Sequence, residues 1–146
     1  MTNEDKLRIY AAYLPYGLKG NLLPQTHEVE MTGIYLDDYN MHEIYIKPSG
    51  CYVMSRFKPI IYPLDFLTKE IEHEGERFVP IHKLRKYCIE VMGAKDYDTD
   101  IGIDKLIKGW EVQYWPKLFI DILLKWHFNV FNLPEDQFIN KTNLKS

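Results

Sequence analysis

Residues 28–47 read EVEMTGIYLDDYNMHEIYIK, and their pattern decides the fold class. Val29, Met31 and Gly33 alternate with polar neighbours, and Ile34, Leu36, Ile44 and Ile46 continue a strand-like period. A period of two puts alternate side chains on one face of a sheet. Between the two runs stands Asp37-Asp38-Tyr39-Asn40. Asp and Asn side chains bond their own backbone and so favour a turn. The stretch reads as an antiparallel hairpin of about 28–36 and 42–47, closed by Pro48, Ser49 and Gly50.

Helical periods flank this hairpin. Leu7, Tyr10, Ala11 and Leu14 recur at i, i+3, i+4 and i+7, which predicts a helix over 3–14, capped by Thr2 or Asn3 and stopped by Pro15 and Gly17. Pro80 to Met92 is the clearest helix. Its proline sits at the first position, its apolar stripe is Ile81, Leu84, Cys88 and Val91, and Gly93 is placed as the left-handed cap. Pro116 to His127 is apolar around most of its circumference, with Lys117, Asp121 and Lys125 as its polar stripe, and reads as a central core helix.

The remaining segments are shorter. Cys51 to Tyr62 is β-rich, with Pro59 marking an edge strand or a bend. A helical turn follows Pro63. Ile71-Glu72-His73 and Arg77-Phe78-Val79 flank Glu74-Gly75-Glu76 as a small hairpin or a loop, and Gly109 to Trp115 alternates like a strand. Strands and helices mix without βαβ alternation, so the class is α+β. The expected architecture is a single compact domain over 1–138, an antiparallel hairpin or sheet packed with about three main helices, followed by a polar tail over 139–146.

Composition narrows the function classes. The chain has 146 residues, enough to bury about two-thirds of its unfolded surface without a metal or disulfide staple. Eighteen Lys and Arg against 21 Asp and Glu give a formal charge of −3, neither the basic excess of a phosphate binder nor the acidity of a polyanion mimic. Cys51 and Cys88 match no zinc spacing and read as reduced thiols. No apolar leader follows Met1, and Leu118 to Leu124 is too short to span a bilayer. The expected location is the cytoplasm, with no membrane partner and no cofactor.

Three features are candidate sites. Asp96, Asp98, Asp100 and Asp104 lie in one acidic loop, and alternating carboxylates can converge on Ca²⁺, which takes six to eight oxygens at about 2.3–2.6 Å. Ile101 and Ile107 stand where an EF-hand needs Gly and Glu, so the loop reads first as a solvated turn and second as a weak cation site. His82, Lys83, Arg85 and Lys86 cluster on the polar side of the 80–92 helix, where residues 77–95 hold five Lys and Arg against one Glu. Such a face tracks phosphates or is simply a solvated helix surface. Glu28, Glu30, Asp37, Asp38 and Glu43 form an acidic zone that contrasts with it and suits self-association or a charged partner. Third come the aromatics. Tyr13 and Tyr16 are candidate interface residues near Tyr10, and Trp110, Tyr114, Trp115 and Trp126 read as core. His127 is explained by the helix dipole.

Four phrases carry a family likeness: Tyr13-Leu14-Pro15-Tyr16-Gly17-Leu18-Lys19, Lys58-Pro59-Ile60-Ile61-Tyr62-Pro63-Leu64, Leu67-Thr68-Lys69-Glu70-Ile71-Glu72-His73, and Trp126-His127-Phe128-Asn129-Val130-Phe131. In order and spacing they resemble a family of small uncharacterised proteins of tailed phages and prophages of the Bacteroides group, to which no activity is attached. Glu74-Gly75 stands where that family has Asn-Gly, which argues against a tight type I′ turn, and Ile61-Tyr62 stands where Leu-Arg is common. The resemblance implies an intracellular phage accessory protein. The leading expectation is a non-enzymatic binding protein that acts on a host or phage protein or sequesters a ligand. The alternatives are a nucleic-acid-binding regulator using residues 82–86 and a small enzyme with an unrecognised site.

Overall fold

The computed structural model describes residues 2–24, 28–36, 42–47, 50–92, 104–105, 108 and 117–143. Its elements are α1 (Asn3–Tyr13), β1 (Lys19–Leu22), β2 (Glu28–Leu36), β3 (His42–Lys47), β4 (Gly50–Val53), β5 (Phe57–Ile61), β6 (Ile71–His73), β7 (Glu76–Phe78), α2 (Pro80–Met92), α3 (Lys117–Lys125) and β8 (Ile139–Asn140). The protein is α+β. The chain divides into two compact units, Met1–Ile61 with Leu133–Ser146, and Tyr62–Asn132.

In the first unit α1 begins at a reciprocal cap. Thr2 Oγ1 accepts from the Asp5 amide at 3.1 Å, and the Asp5 carboxylate accepts from the Thr2 amide at 3.0 Å. That amide and the Thr2 hydroxyl hold the Asp5 carboxyl below the usual carboxylate range. The buried face of α1 is Ile9, Tyr10 and Tyr13, while Leu7 and Leu14 are half-buried and Ala11 is exposed. The expected stripe is therefore rotated toward the two tyrosines, which bring more apolar area inside than Ala11 can. Tyr10 meets Phe57 edge-on at 5.5 Å, and burial pushes its hydroxyl up to about 12. A 3-10 turn over Leu14–Tyr16 and a left-handed Gly17 end the helix, as Pro15 and Gly17 required.

Six strands form one sheet in the order β4-β3-β2-β1-β5-β8, antiparallel except for the β5–β8 pair. The 28–36 and 42–47 strands pair as expected, Ile34 opposite Ile44, with a register slip between Met31 and Gly33. Residues 37–40 lie outside the described residues.

β1 was not anticipated, because Gly20 and Asn21 are weak strand formers. Gly20 is nonetheless specific. A Cβ there would lie 2.5 Å from the Lys58 carbonyl oxygen and 2.5 Å from the Phe57 ring. Just beyond, the Leu23 amide donates to the Arg56 carbonyl at 2.6 Å, and Arg56 Nε returns a bond to the Leu23 carbonyl at 2.7 Å. Pro59 sits opposite Gly20, one residue before the parallel partner begins at Ile60. β5 is thus interior to the sheet, and the proline occupies the position where only one neighbour is paired. The expected 139–146 tail instead contributes β8, Ile139 and Asn140 pairing Ile60 and Ile61, behind the buried anchors Leu133 and Phe138.

The second unit starts with a 3-10 turn at Leu64–Thr68, the β6–β7 hairpin and α2, whose bounds match the expected 80–92. Ile81 and Leu84 are buried as the stripe predicts. α3 buries Phe119, Ile120, Leu123 and Leu124, but Leu118 is exposed and Ile122 half-buried, so its apolar cover is one face rather than most of the circumference. The expected strand at 109–115 and the Gly93 cap lie outside the described residues. Among the described residues no helix is long and apolar enough to cross a membrane.

Replacing Gly20 with Ala drives a methyl into a carbonyl that the β1–β5 ladder holds in place. The expected loss is about 2–3 kcal/mol, read as a lowered urea midpoint with an unchanged slope.

Candidate functional site

α2 follows the β6–β7 hairpin directly, and the hairpin's turn decides what meets it. Glu74 and Gly75 have φ of 51° and 80°. Two positive values in succession mark the type I′ geometry that the Glu74-Gly75 sequence had argued against. The twist match of a primed turn to the flanking strands outweighs the local cost of glutamate there. The turn sets His73 opposite Glu76 and Ile71 opposite Phe78.

Glu76 then reaches α2. Lys83 Nζ lies 2.7 Å from Glu76 Oε1 and 4.0 Å from the centre of the Phe78 ring. Lys83 therefore pairs with the hairpin across a solvent-exposed ion pair, rather than standing only in the basic cluster where the sequence had placed it. His82 and Lys86 are exposed and Arg85 is half-buried. Ile89 shares their side of the helix and is 40% exposed, a feature that the apolar-stripe reading passed over although 82, 85, 86 and 89 follow the i, i+3, i+4, i+7 spacing.

The other expected sites fare differently. Tyr13 is 1% exposed and belongs to the core, so it is no surface contact. Its i+3 spacing from Tyr10 was the available signal. Tyr16 is half-buried in the turn after α1. Asp96, Asp98 and Asp100 lie outside the described residues. Asp104 is helical and pairs with Lys108 at 2.8 Å, the i, i+4 pair of a solvated surface. Among the described residues no three His, Cys, Asp or Glu side chains group to hold a metal ion.

One feature escaped sequence reasoning. His73 and His127 meet edge-to-face, ring centres 5.1 Å apart at 90°, and both are buried. Beside them Phe78 meets Trp126 at 5.1 Å. His127 stands past the end of α3 in a left-handed conformation, φ 61°. Its amide donates to the Leu124 carbonyl at 2.9 Å and its carbonyl accepts from the Tyr62 amide at 2.8 Å, while the Asn129 amide donates to the Tyr62 carbonyl at 2.9 Å. It is therefore a packed residue anchored by its backbone, and not the dipole-stabilised helix end inferred from position alone. The alternation of Ile71, charged Glu72 and His73 in sequence was a local hint that His73 shares the buried face of Ile71, as the structure shows. The Tyr62 hydroxyl donates to the Glu72 carbonyl, and burial raises its pKa.

Comparisons with family models, curated proteins and solved structures give no match.

Because Glu74 holds a positive φ at an exposed position, Glu74→Asn is expected to stabilise the protein by about 0.5–1 kcal/mol in chemical denaturation, Asn entering that region more readily than Glu. Gly75→Ala at the neighbouring position is expected to destabilise it by about 1 kcal/mol.

Proposed function

We propose that this chain is a phage-type accessory protein of the host cytoplasm that works by binding a host or phage protein rather than by catalysing a reaction, and that α2 is its docking face. The observation that carries this reading is Ile89. It is 40% exposed. Exposed His82 and Lys86 and half-buried Arg85 lie on the same side of the helix, and exposed Glu90 follows next to it. An apolar anchor inside a charged border is the usual anatomy of a protein contact, with the anchor supplying affinity and the border supplying selectivity.

The same residues favour protein over nucleic acid. A phosphate-tracking face gathers cations along its length. Here Lys83 pairs with Glu76 of the hairpin, and exposed Ile89 and Glu90 interrupt the basic residues of the same helix. The likeness of the 13–19, 58–64, 67–73 and 126–131 phrases to phage proteins supports the same class of role.

A photo-crosslinking residue placed at exposed position 86, one helical turn from Ile89, in lysate from infected host cells, is expected to capture one discrete protein, whereas the same residue at exposed position 11 of α1 is not. Ile89→Asp is expected to weaken that capture at least tenfold, since losing a central apolar anchor typically costs more than about 1.4 kcal/mol, while leaving the melting temperature within a few degrees. Equal crosslinking from both positions, or a nuclease-sensitive adduct whose retention falls steeply with salt, overturns the reading.

A further inference from the structure

Residues 133–143 return to the first unit after the chain has built the second. Their strand is short. Ile139 and Asn140 pair Ile60 and Ile61 in parallel, the ladder geometry that is slightly weaker per residue. Leu133 and Phe138 are the buried anchors, 5% and 7% exposed. Between them Pro134, Glu135 and Asp136 are exposed, and residues 139–142 are half-buried. The segment also carries bonds within itself. The Gln137 amide donates to the Pro134 carbonyl at 2.8 Å, and the Thr142 amide and hydroxyl donate to Asn140 Oδ1 at 3.0 and 2.6 Å. Those bonds travel with the segment when it leaves β5.

The β5 edge does not stay bare in water. With the segment in place Ile60 is 2% and Ile61 0% exposed, and a strand edge without a neighbour offers its amides and carbonyls to any extended chain. An occupant must supply what the cis segment supplies: an extended residue pair for the ladder, an apolar anchor directly before it, and another anchor five residues earlier. A second copy of this chain carries that pattern identically, so the contacts made in cis are available in trans.

The joint lies just before the segment. Asn132 is exposed and holds φ at 52°, and its amide reaches the Asn129 carbonyl at a long 3.4 Å. Asn enters the left-handed region more readily than most residues, yet an extended joint relieves the cost altogether. The closed form thus carries a backbone cost at this hinge that an exchanged form escapes, while both forms bury the same anchors.

We propose that residues 133–143 are an exchangeable arm: hinged at Asn132, the arm of one copy docks on the β5 edge of a second copy, whose own arm docks on the first. The product is a closed two-fold dimer, because both sides use the same edge and the same arm. Protein concentration and the hinge set the balance between cis and trans, since the contacts themselves are shared. This inference does not rest on α2.

The test is the oligomeric state of the full chain after refolding from urea at low and at high protein concentration, which lets each arm choose its edge before it is trapped. Sedimentation velocity is expected to show a dimer that grows with concentration. In dimers assembled from two differently isotope-labelled batches, nuclear Overhauser contacts are expected between Ile139 of one copy and Ile60 of the other. Each dimer opens a hinge in both copies, so hinge variants act twice. Asn132→Gly, which occupies positive φ freely, is expected to lower the dimerisation constant about threefold per hinge and so about tenfold in all. Asn132→Val, which resists positive φ, is expected to raise it by about the same factor. Position 132 is exposed and lies outside both the arm and the edge, so the glycine variant keeps the test open should the valine variant not fold. A chain monomeric at every concentration, a dimer without the 139–60 contact between copies, or a dimer indifferent to position 132 overturns the arm. A dimer that Ile89→Asp abolishes and position 132 leaves unchanged joins through α2 and overturns it equally. The α2 reading is tested by capture from host lysate and the arm by hinge variants of the purified chain, so either fails without the other.

Discussion

The first unit depends on how closely β1 and β5 approach at Gly20. In the strand order β4-β3-β2-β1-β5-β8, β1 is the seam between the β2–β3–β4 meander and the β5–β8 pair. A side chain at Gly20 would meet the Lys58 carbonyl and the Phe57 ring at 2.5 Å, so the seam closes only where the side chain is missing. Phe57, brought there by β5, is also the ring on which Tyr10 rests and the carbonyl to which Tyr10 donates. The packing of α1 is therefore set by the same contact that joins the sheet. A residue poor in strand propensity stands at the centre of a sheet because close approach outweighs propensity there.

The second unit is organised by ring contacts and by the backbone around Tyr62. Tyr62 exchanges main-chain bonds with His127 and Asn129, and its side chain reaches the hairpin through the Glu72 carbonyl. Three features of one short segment cooperate: the left-handed His127, the buried Phe128 and the Asn129 amide. His127 at positive φ is a strained choice for a non-glycine residue, and such strain persists only where surrounding structure over-determines it. Here two main-chain bonds and an edge-on histidine do so.

Legibility in the sequence followed the length and regularity of the pattern. The 28–36 and 42–47 strands and the 80–92 helix were readable to the residue, because each carries several repeats of one period and a clear terminator. β1 has four residues and no period. β8 has two, and its pairing with β5 depends on Leu133 and Phe138 being buried, which no local pattern encodes. On α1 the stripe was real but its orientation was not recoverable, since Tyr10 and Tyr13 outcompete Ala11 for the interior. Among the candidate site residues, His82 and Lys86 were legible as surface, because amphipathic spacing reports exposure directly. Lys83 was not, because its tie to Glu76 is made by a different element. The histidine pair lay further still from view, one ring at the end of a three-residue strand and the other beyond a helix, joined only by tertiary structure.

Lys83 shows why residue type and helical face together still underdetermine function. Its ammonium lies 2.7 Å from the Glu76 carboxylate and 4.0 Å from the centre of the Phe78 ring, so its charge is turned toward the hairpin in a solvent-exposed pair. Removing it from the count leaves α2 a surface of mixed sign around an exposed isoleucine, and that mixture separates a protein-docking reading from a phosphate-tracking one. The withdrawal is also conditional. Glu76 holds Lys83 only while the hairpin is seated, and contacts that seat it include the Phe78–Trp126 and His73–His127 ring pairs and the Tyr62 hydroxyl's bond to the Glu72 carbonyl. The charge that α2 presents is therefore a property of the hairpin's position as much as of the helix's own sequence, since Glu76 belongs to the one and Lys83 to the other.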